Sequence, residues 1–107
     1  GTGVLVNDYT HRVLFMNNLL LDNGDAPGEY NLEVLDGDWE KAGFHGWNIF
    51  HKSSGDNVTG ITLNSQVAGS ELTSDPLLVD PANGDFAPGE NSPAREAGFP
   101  PSFPFSA

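Results

Sequence analysis

Residues 75–98 read DPLLVDPANGDFAPGENSPAREAG. Leu77-Leu78-Val79 is a short apolar strand held between two Asp-Pro corners, Asp75-Pro76 and Asp80-Pro81. Proline fixes φ, removes a donor and bars the residue before it from helical backbone, so each corner breaks regular structure. Asn83-Gly84-Asp85 is a turn of residues that tolerate left-handed backbone. Phe86 is expected to point inward, and Ser92-Pro93-Ala94 forms another corner. Asp75, Asp80 and Asp85 stand where a side-chain carboxylate caps nearby backbone amides. The stretch predicts extended pieces and corners.

The same grammar runs through the rest of the 107 residues, which contain 13 Gly and 8 Pro. That density of breakers suits many short strands and argues against a helical bundle. Val4-Leu5-Val6 is a strand ending at the turn pair Asn7-Asp8. Val13–Met16 and Leu19–Leu21 are apolar runs separated by Asn17-Asn18. They are read as two strands meeting at a tight Asn corner, because Asn accepts the left-handed conformation. A helix through Val13–Leu21 is the alternative. Tyr30–Leu35 alternates with period two, the pattern of a half-buried strand. Asp36-Gly37-Asp38 is a turn, Trp39–Gly46 has room for one helical turn, and Trp47–Phe50 is a strand with Trp47 and Ile49 on one face. Val58–Leu63 is a strand broken by Gly60, and Gln66–Thr73 is a polar surface run. The tail from Phe99 to Phe105 is extended, its prolines forbidding helix and its phenylalanines packing back on the body.

Closing stretches built like residues 75–98 follow the last turn of right-handed parallel β-helix proteins, and this chain resembles that pectate-lyase-like family of carbohydrate-active proteins. The resemblance implies an all-β fold, a right-handed parallel β-helix. Residues 1–74 would form terminal coils, and 75–107 the closing segment with its extended Pro/Phe tail. With roughly 20–25 residues per coil, the chain supplies three or four. Each coil buries its core against its neighbours, so the first would leave an open edge for further coils or another copy of the chain. Asn17 or Asn18 would stack its amide on a copy in the next coil. The opening Gly1-Thr2-Gly3, with no Met, leads to the expectation of processing or of a larger parent chain.

Charge restricts the partners. Fifteen acidic residues against four basic ones give −11. Phosphate binding needs a basic stripe, so nucleic acid and anionic membranes are excluded as partners. Uronate polymers would be repelled unless a cation intervened, which favours neutral glycans or Ca²⁺-bridged contacts. With no cysteine, thiolate catalysis and zinc-thiolate sites are ruled out. No apolar run approaches the roughly 20 residues that cross a bilayer.

The resemblance implies a secreted or cell-surface polysaccharide lyase or glycoside hydrolase, whose catalytic residues lie largely on other coils. Two further readings stay open: a non-catalytic β-solenoid that adheres or forms filaments, and a small sugar- or calcium-binding β-sandwich. Within this chain, His11-Arg12 and His51-Lys52 each set a base beside a cation. Tyr30, Trp39 and Trp47 are candidates for a sugar-stacking platform, since aromatic faces cover the C–H surface of a sugar. Asp36, Asp38 and Glu40, and separately Asp22 and Asp25, are acidic loop groups of the kind that bind Ca²⁺. His45, between Phe44 and Trp47, is read as packing. Asn57-Val58-Thr59 is a glycosylation sequon.

Overall fold

A computed structural model describes residues 1–7, 13–35, 39 and 43–99. Described strands are short: β1 (Val4–Val6), β2 (Leu14–Met16), β3 (Leu19–Leu21), β4 (Leu32–Val34), β5 (Phe44–Gly46), β6 (Ile49–His51), β7 (Val58–Thr59), β8 (Leu78–Asp80) and β9 (Asp85–Pro88). A 3₁₀ turn, Pro81–Asn83, joins the last two. The fold is all-β, assembled from small sheets.

Seven of these strands pair in parallel. The order β1-β4-β7 makes one sheet, β2-β5 a second and β3-β6 a third. Val4 faces Leu32, Leu14 faces Phe44 and Leu19 faces Ile49, while Leu32 in turn faces Val58. A parallel bridge joins Ile49 to Leu72. Parallel neighbours need a long crossover, and here each crossover is itself made of strands from the other two sheets. Equivalent residues lie 30 positions apart for Asn18 and Asn48 and 26 apart for Asn31 and Asn57. That is longer than the 20–25 expected, because loops such as 22–30 and 52–57 add to the strands.

Sharp corners set the path. Asn17 (φ 60°) turns the chain from β2 into β3, and Trp47 (φ 53°) does the same from β5 into β6. The Asn17 amide donates to the Trp47 carbonyl at 3.1 Å, so the two corners stack. The two-strand reading of Val13–Leu21 is therefore correct. Gly60 (φ 89°) is a corner that tolerates no side chain: a Cβ would stand 2.0 Å from the Val34 carbonyl oxygen. That corner ends β7 at Thr59, short of the strand expected through Leu63.

Period-two alternation sets burial in β4, where Leu32 and Val34 are buried and Glu33 is not, whereas in β6 both Ile49 and Phe50 are buried. Val6, Leu20, Leu32, Val34, Trp39 and Phe50 form the core, with Val4, Val13, Phe15, Val58, Ile61 and Leu63 packed around them. The Phe15 and Phe50 rings stack with centroids 6.1 Å apart. The strand expected at Trp47–Phe50 begins two residues later, at Ile49, since Trp47 is the corner. Phe44–Gly46, read as part of a helical turn, is a strand set by its register with Leu14–Met16.

The run Gln66–Thr73 is not a surface loop throughout. Ser70 and Glu71 are buried and Leu72 pairs with Ile49. Residues 75–98 depart from expectation in the strand's bounds, in the exposure of Phe86 and in the partner of Asp80. The strand is Leu78–Asp80, with Leu77 in left-handed backbone at φ 50°, and it pairs antiparallel with β9. Phe86, expected inward, is 66% exposed. This hairpin extends from the body, and no layer of described residues covers it. The capping roles hold for Asp75 and Asp85, which accept from the Leu77 and Ala87 amides. Asp80 instead accepts from the Asn83 side chain. Asp8 of the first turn, the Asp36-Gly37-Asp38 turn and the tail beyond Phe99 lie outside the described residues.

Candidate functional site

Two runs of side-chain amides cross the stack. Asn18 donates from its backbone amide and from Nδ2 to Asn48 Oδ1, at 3.0 and 3.1 Å. Asn48 Nδ2 donates onward to the Phe15 carbonyl and to Glu71 Oε2, at 2.9 and 3.2 Å. A carboxamide both donates and accepts, so it can continue such a chain; an ionised carboxylate only accepts and ends it. Glu71 is that end. On the other side, Asn23 donates to Asn31 Oδ1, Asn31 to Asn57 Oδ1, and Asn57 to the Phe50 carbonyl, at 2.9, 2.8 and 2.7 Å. Of the two residues proposed for stacking, Asn17 supplies the left-handed corner and Asn18 the ladder. The sequon residue Asn57 spends its amide here.

Glu71 belongs to a buried polar centre. Its Oε1 lies 2.7 Å from His45 Nδ1 and accepts from the Asn64 amide at 3.0 Å, and both His45 and Glu71 are fully buried. Register places His45 opposite Phe15, at a core position. Trp39 stacks on the imidazole with centroids 5.3 Å apart. The His45 amide donates to Gln66 Oε1 at 2.8 Å, and Ser65 Oγ approaches His45 Nε2 at 3.4 Å. Reading His45 as packing captures its burial but not these partners.

The outer surface over the Trp47 corner carries a groove of about 500 Å³, lined by Trp47, Val67, Gly69, Leu72, Glu96 and Gly98. A smaller hollow of about 190 Å³ adjoins it, bounded by Asn17, Leu19, Trp47, Ile49 and Ala97. Trp47 separates the two. Its ring meets Phe44 at 6.1 Å and receives Phe99 edge-on at 4.8 Å. Glu96, Ala97 and Gly98 form one wall of the groove, and the chain then returns to the first tier, where the Phe99 amide donates to Asn17 Oδ1 at 2.6 Å.

The predicted platform of three aromatics does not assemble. Trp39 is fully buried and presents no face to a ligand, because it fills the core against His45. Tyr30 is half-buried, and its backbone amide donates to Thr2 Oγ1. Only Trp47 reaches the groove. His51 and Lys52 serve the main chain: Nδ1 of His51 meets the Thr73 carbonyl at 2.9 Å and Lys52 Nζ meets the Glu29 carbonyl at 3.0 Å. Asp22 is occupied by Ser53, whose amide and hydroxyl donate to it at 2.6 and 3.0 Å, while Asp25 is exposed. Among the described residues no three acidic, His or Cys side chains gather as a metal site. His11 and Arg12, and Asp36, Asp38 and Glu40, lie outside the described residues. The Ala26 amide, with the amino group of Gly1 second, holds the Glu29 carboxyl below the usual carboxylate range.

Asn48, Glu71 and Ser65 were missed from sequence. The signal for the first was an alignment of unlike residues: Leu14-Phe15-Met16-Asn17-Asn18-Leu19 over Phe44-His45-Gly46-Trp47-Asn48-Ile49, where Asn18 and Asn48 alone are identical. Glu71 carries no local signal. Compared with protein-family models, curated proteins and solved structures, the chain matches none of them.

Proposed function

We propose that this chain forms the closing end of a right-handed parallel β-helix in a secreted carbohydrate-active protein, a polysaccharide lyase or glycoside hydrolase, and that Trp47 contributes a sugar contact. Support for the architecture comes from successive strand triplets, β1–β3 then β4–β6, pairing in register, and from the stacked Asn18 and Asn48 amides. The outer edges of β1, β2 and β3 have no partner strand among the described residues, which is where further coils of the parent protein would pair.

One observation carries the sugar contact. Trp47 is a bulky residue held at φ 53°, half-buried in the groove wall, at the corner position where the tier before it uses Asn. Bulky residues rarely take left-handed backbone, and strain of this kind persists where the side chain is useful. An indole between a groove and a hollow suits the apolar face of a sugar ring. The charge of −11 favours neutral oligosaccharides, with uronates binding only when Ca²⁺ bridges them.

Tryptophan fluorescence tests the contact, because Trp39 is buried and acts as an internal reference. A neutral oligosaccharide should produce a saturable change that Trp47→Ala abolishes. If neutral glycans, and uronates with Ca²⁺, leave the emission unchanged, the contact is refuted. The second reading, a solenoid that stacks on its own copies, draws on Leu5, Leu14 and Leu19 of the unpartnered edge, which are 51%, 65% and 41% exposed. Light scattering separates the two: a concentration-dependent homopolymer favours self-stacking.

A further inference from the structure

The buried centre at His45 holds a second arrangement with chemistry of its own. An imidazole and a carboxylate in an apolar core are costly unless each is hydrogen-bonded. Here both are, and the partners fix their orientation. Glu71 is set by the Asn64 amide and by Asn48 Nδ2. Its Oε1 accepts from His45 Nδ1 at 2.7 Å, which places the imidazole proton on Nδ1 and leaves Nε2 as the acceptor. Nε2 faces Ser65 Oγ at 3.4 Å. Ser65 is exposed, on the turn after Asn64, while His45 and Glu71 are fully buried. Carboxylate, imidazole and hydroxyl therefore follow one another from the interior to the surface, the order in which a base activates a hydroxyl nucleophile and a third group orients the base.

We propose that Ser65, His45 and Glu71 form a nucleophilic site for esters of short carboxylic acids. Ser65 Oγ attacks the ester carbonyl carbon while its proton passes to His45 Nε2. The bond from that carbon to the alcohol oxygen then breaks, and the alcohol leaves with the proton from Nε2. Water attacks the acyl-serine with His45 again as base, releasing the acid and restoring the hydroxyl. Glu71 is a positioning residue, acting through His45. The acyl group is short because Ser65 is exposed on a turn between polar Asn64 and Gln66 and is not among the residues that line the apolar groove. This assignment stands apart from the glycan reading and does not use Trp47.

The test is covalent labelling of the full chain with a fluorophosphonate probe, mapped by peptide mass spectrometry, alongside hydrolysis of p-nitrophenyl acetate. The expected result is one adduct, on Ser65, that Ser65→Ala abolishes together with hydrolysis above the buffer rate. Ser65 is exposed, so that variant should melt as the parent does. Glu71→Gln should slow labelling roughly tenfold or more and alter its pH profile, since the carboxylate holds the tautomer and stabilises the imidazolium. Where Glu71→Gln fails to fold, the Ser65→Ala comparison decides alone. A folded parent that takes no label, or takes it on another serine such as Ser70, overturns the proposal.

Discussion

The parallel stack of residues 4–72 and the closing segment of residues 75–98 use the same short strands and turn residues, but they are held in different ways. In the stack, partners are distant in sequence and side chains disappear: Leu32, Trp39 and Phe50 have no exposed surface. In the β8–β9 hairpin the bonds are local, such as Gly84 amide to Pro81 carbonyl and Gly89 amide to Leu77 carbonyl, and Val79 and Phe86 are 58% and 66% exposed. A lone two-stranded hairpin is marginal in water. This one is anchored at its base, where buried Ser92 donates from Oγ to the carbonyl of buried Pro76. Turn chemistry is enough to draw a hairpin, whereas a stack needs burial and a polar run that stays satisfied from tier to tier.

Breaking the stack should have the largest effects. Phe50→Ala removes a fully buried ring that stacks on Phe15, and should cost about 3–5 kcal/mol in urea or thermal unfolding. A loss below about 1 kcal/mol would mean that the core is not packed as described. Asn48→Ala comes next. It deprives the Asn18 amide, the Phe15 carbonyl and Glu71 Oε2 of a partner at once, and orphaned buried groups cost about 1–3 kcal/mol each. Only the Glu71 contact is fully buried, and water can reach the part-buried Asn18 and Phe15 groups, so the expected loss is about 2–4 kcal/mol, accompanied by faster amide exchange at Asn18.

How much of this was legible follows the same division. Residues 75–98 disclosed their corners because Asp-Pro and Asn-Gly act on their immediate neighbours, and the Asp75 and Asp85 caps are where the residue types put them. The burial of Phe86 was misjudged because an aromatic between turn residues looks the same whether or not something covers it. In the stack, alternation exposed Leu32 and Val34 as inward residues. It could not show that His45 replaces a phenylalanine of the tier before, since that fact lies in the register. Glu71 sat in a polar run that looked like a surface loop, because a buried acid is recognisable only by its partners. Trp39 and Trp47 were indistinguishable as candidates; packing of one and the left-handed corner of the other separate them.

The junction between the two regions gives an intermediate effect. Asn17 holds the Phe99 amide through Oδ1 and carries the left-handed corner. Asn17→Ala loses both advantages and should cost about 1 kcal/mol or slightly more, a Cβ residue without the Asn side chain being disfavoured at positive φ. Asn17→Gly keeps the corner and loses only the tie to residues 94–99. If the glycine variant is as unstable as the alanine variant, the tie dominates; if it matches the parent, the corner conformation does. Near-equal stability of all three would mean that residues 94–99 rest on the stack without holding it.

The smallest effect is expected in the hairpin. Val79 and Phe86 lie on exposed backbone, so the double variant Val79→Ser, Phe86→Ser should shift stability by no more than about 0.5 kcal/mol, with the stack unfolding at its former midpoint. Its amides should exchange far faster than those of β4 and β6 in parent and variant alike, because their protection depends on a local opening rather than on unfolding of the core. A larger loss would have a definite meaning. Side chains this exposed in the single chain can stabilise it only by burying surface against another molecule, so the loss would have to grow with protein concentration. A loss that is independent of concentration would instead place Phe86 against the body of the same chain and remove the contrast between the two regions.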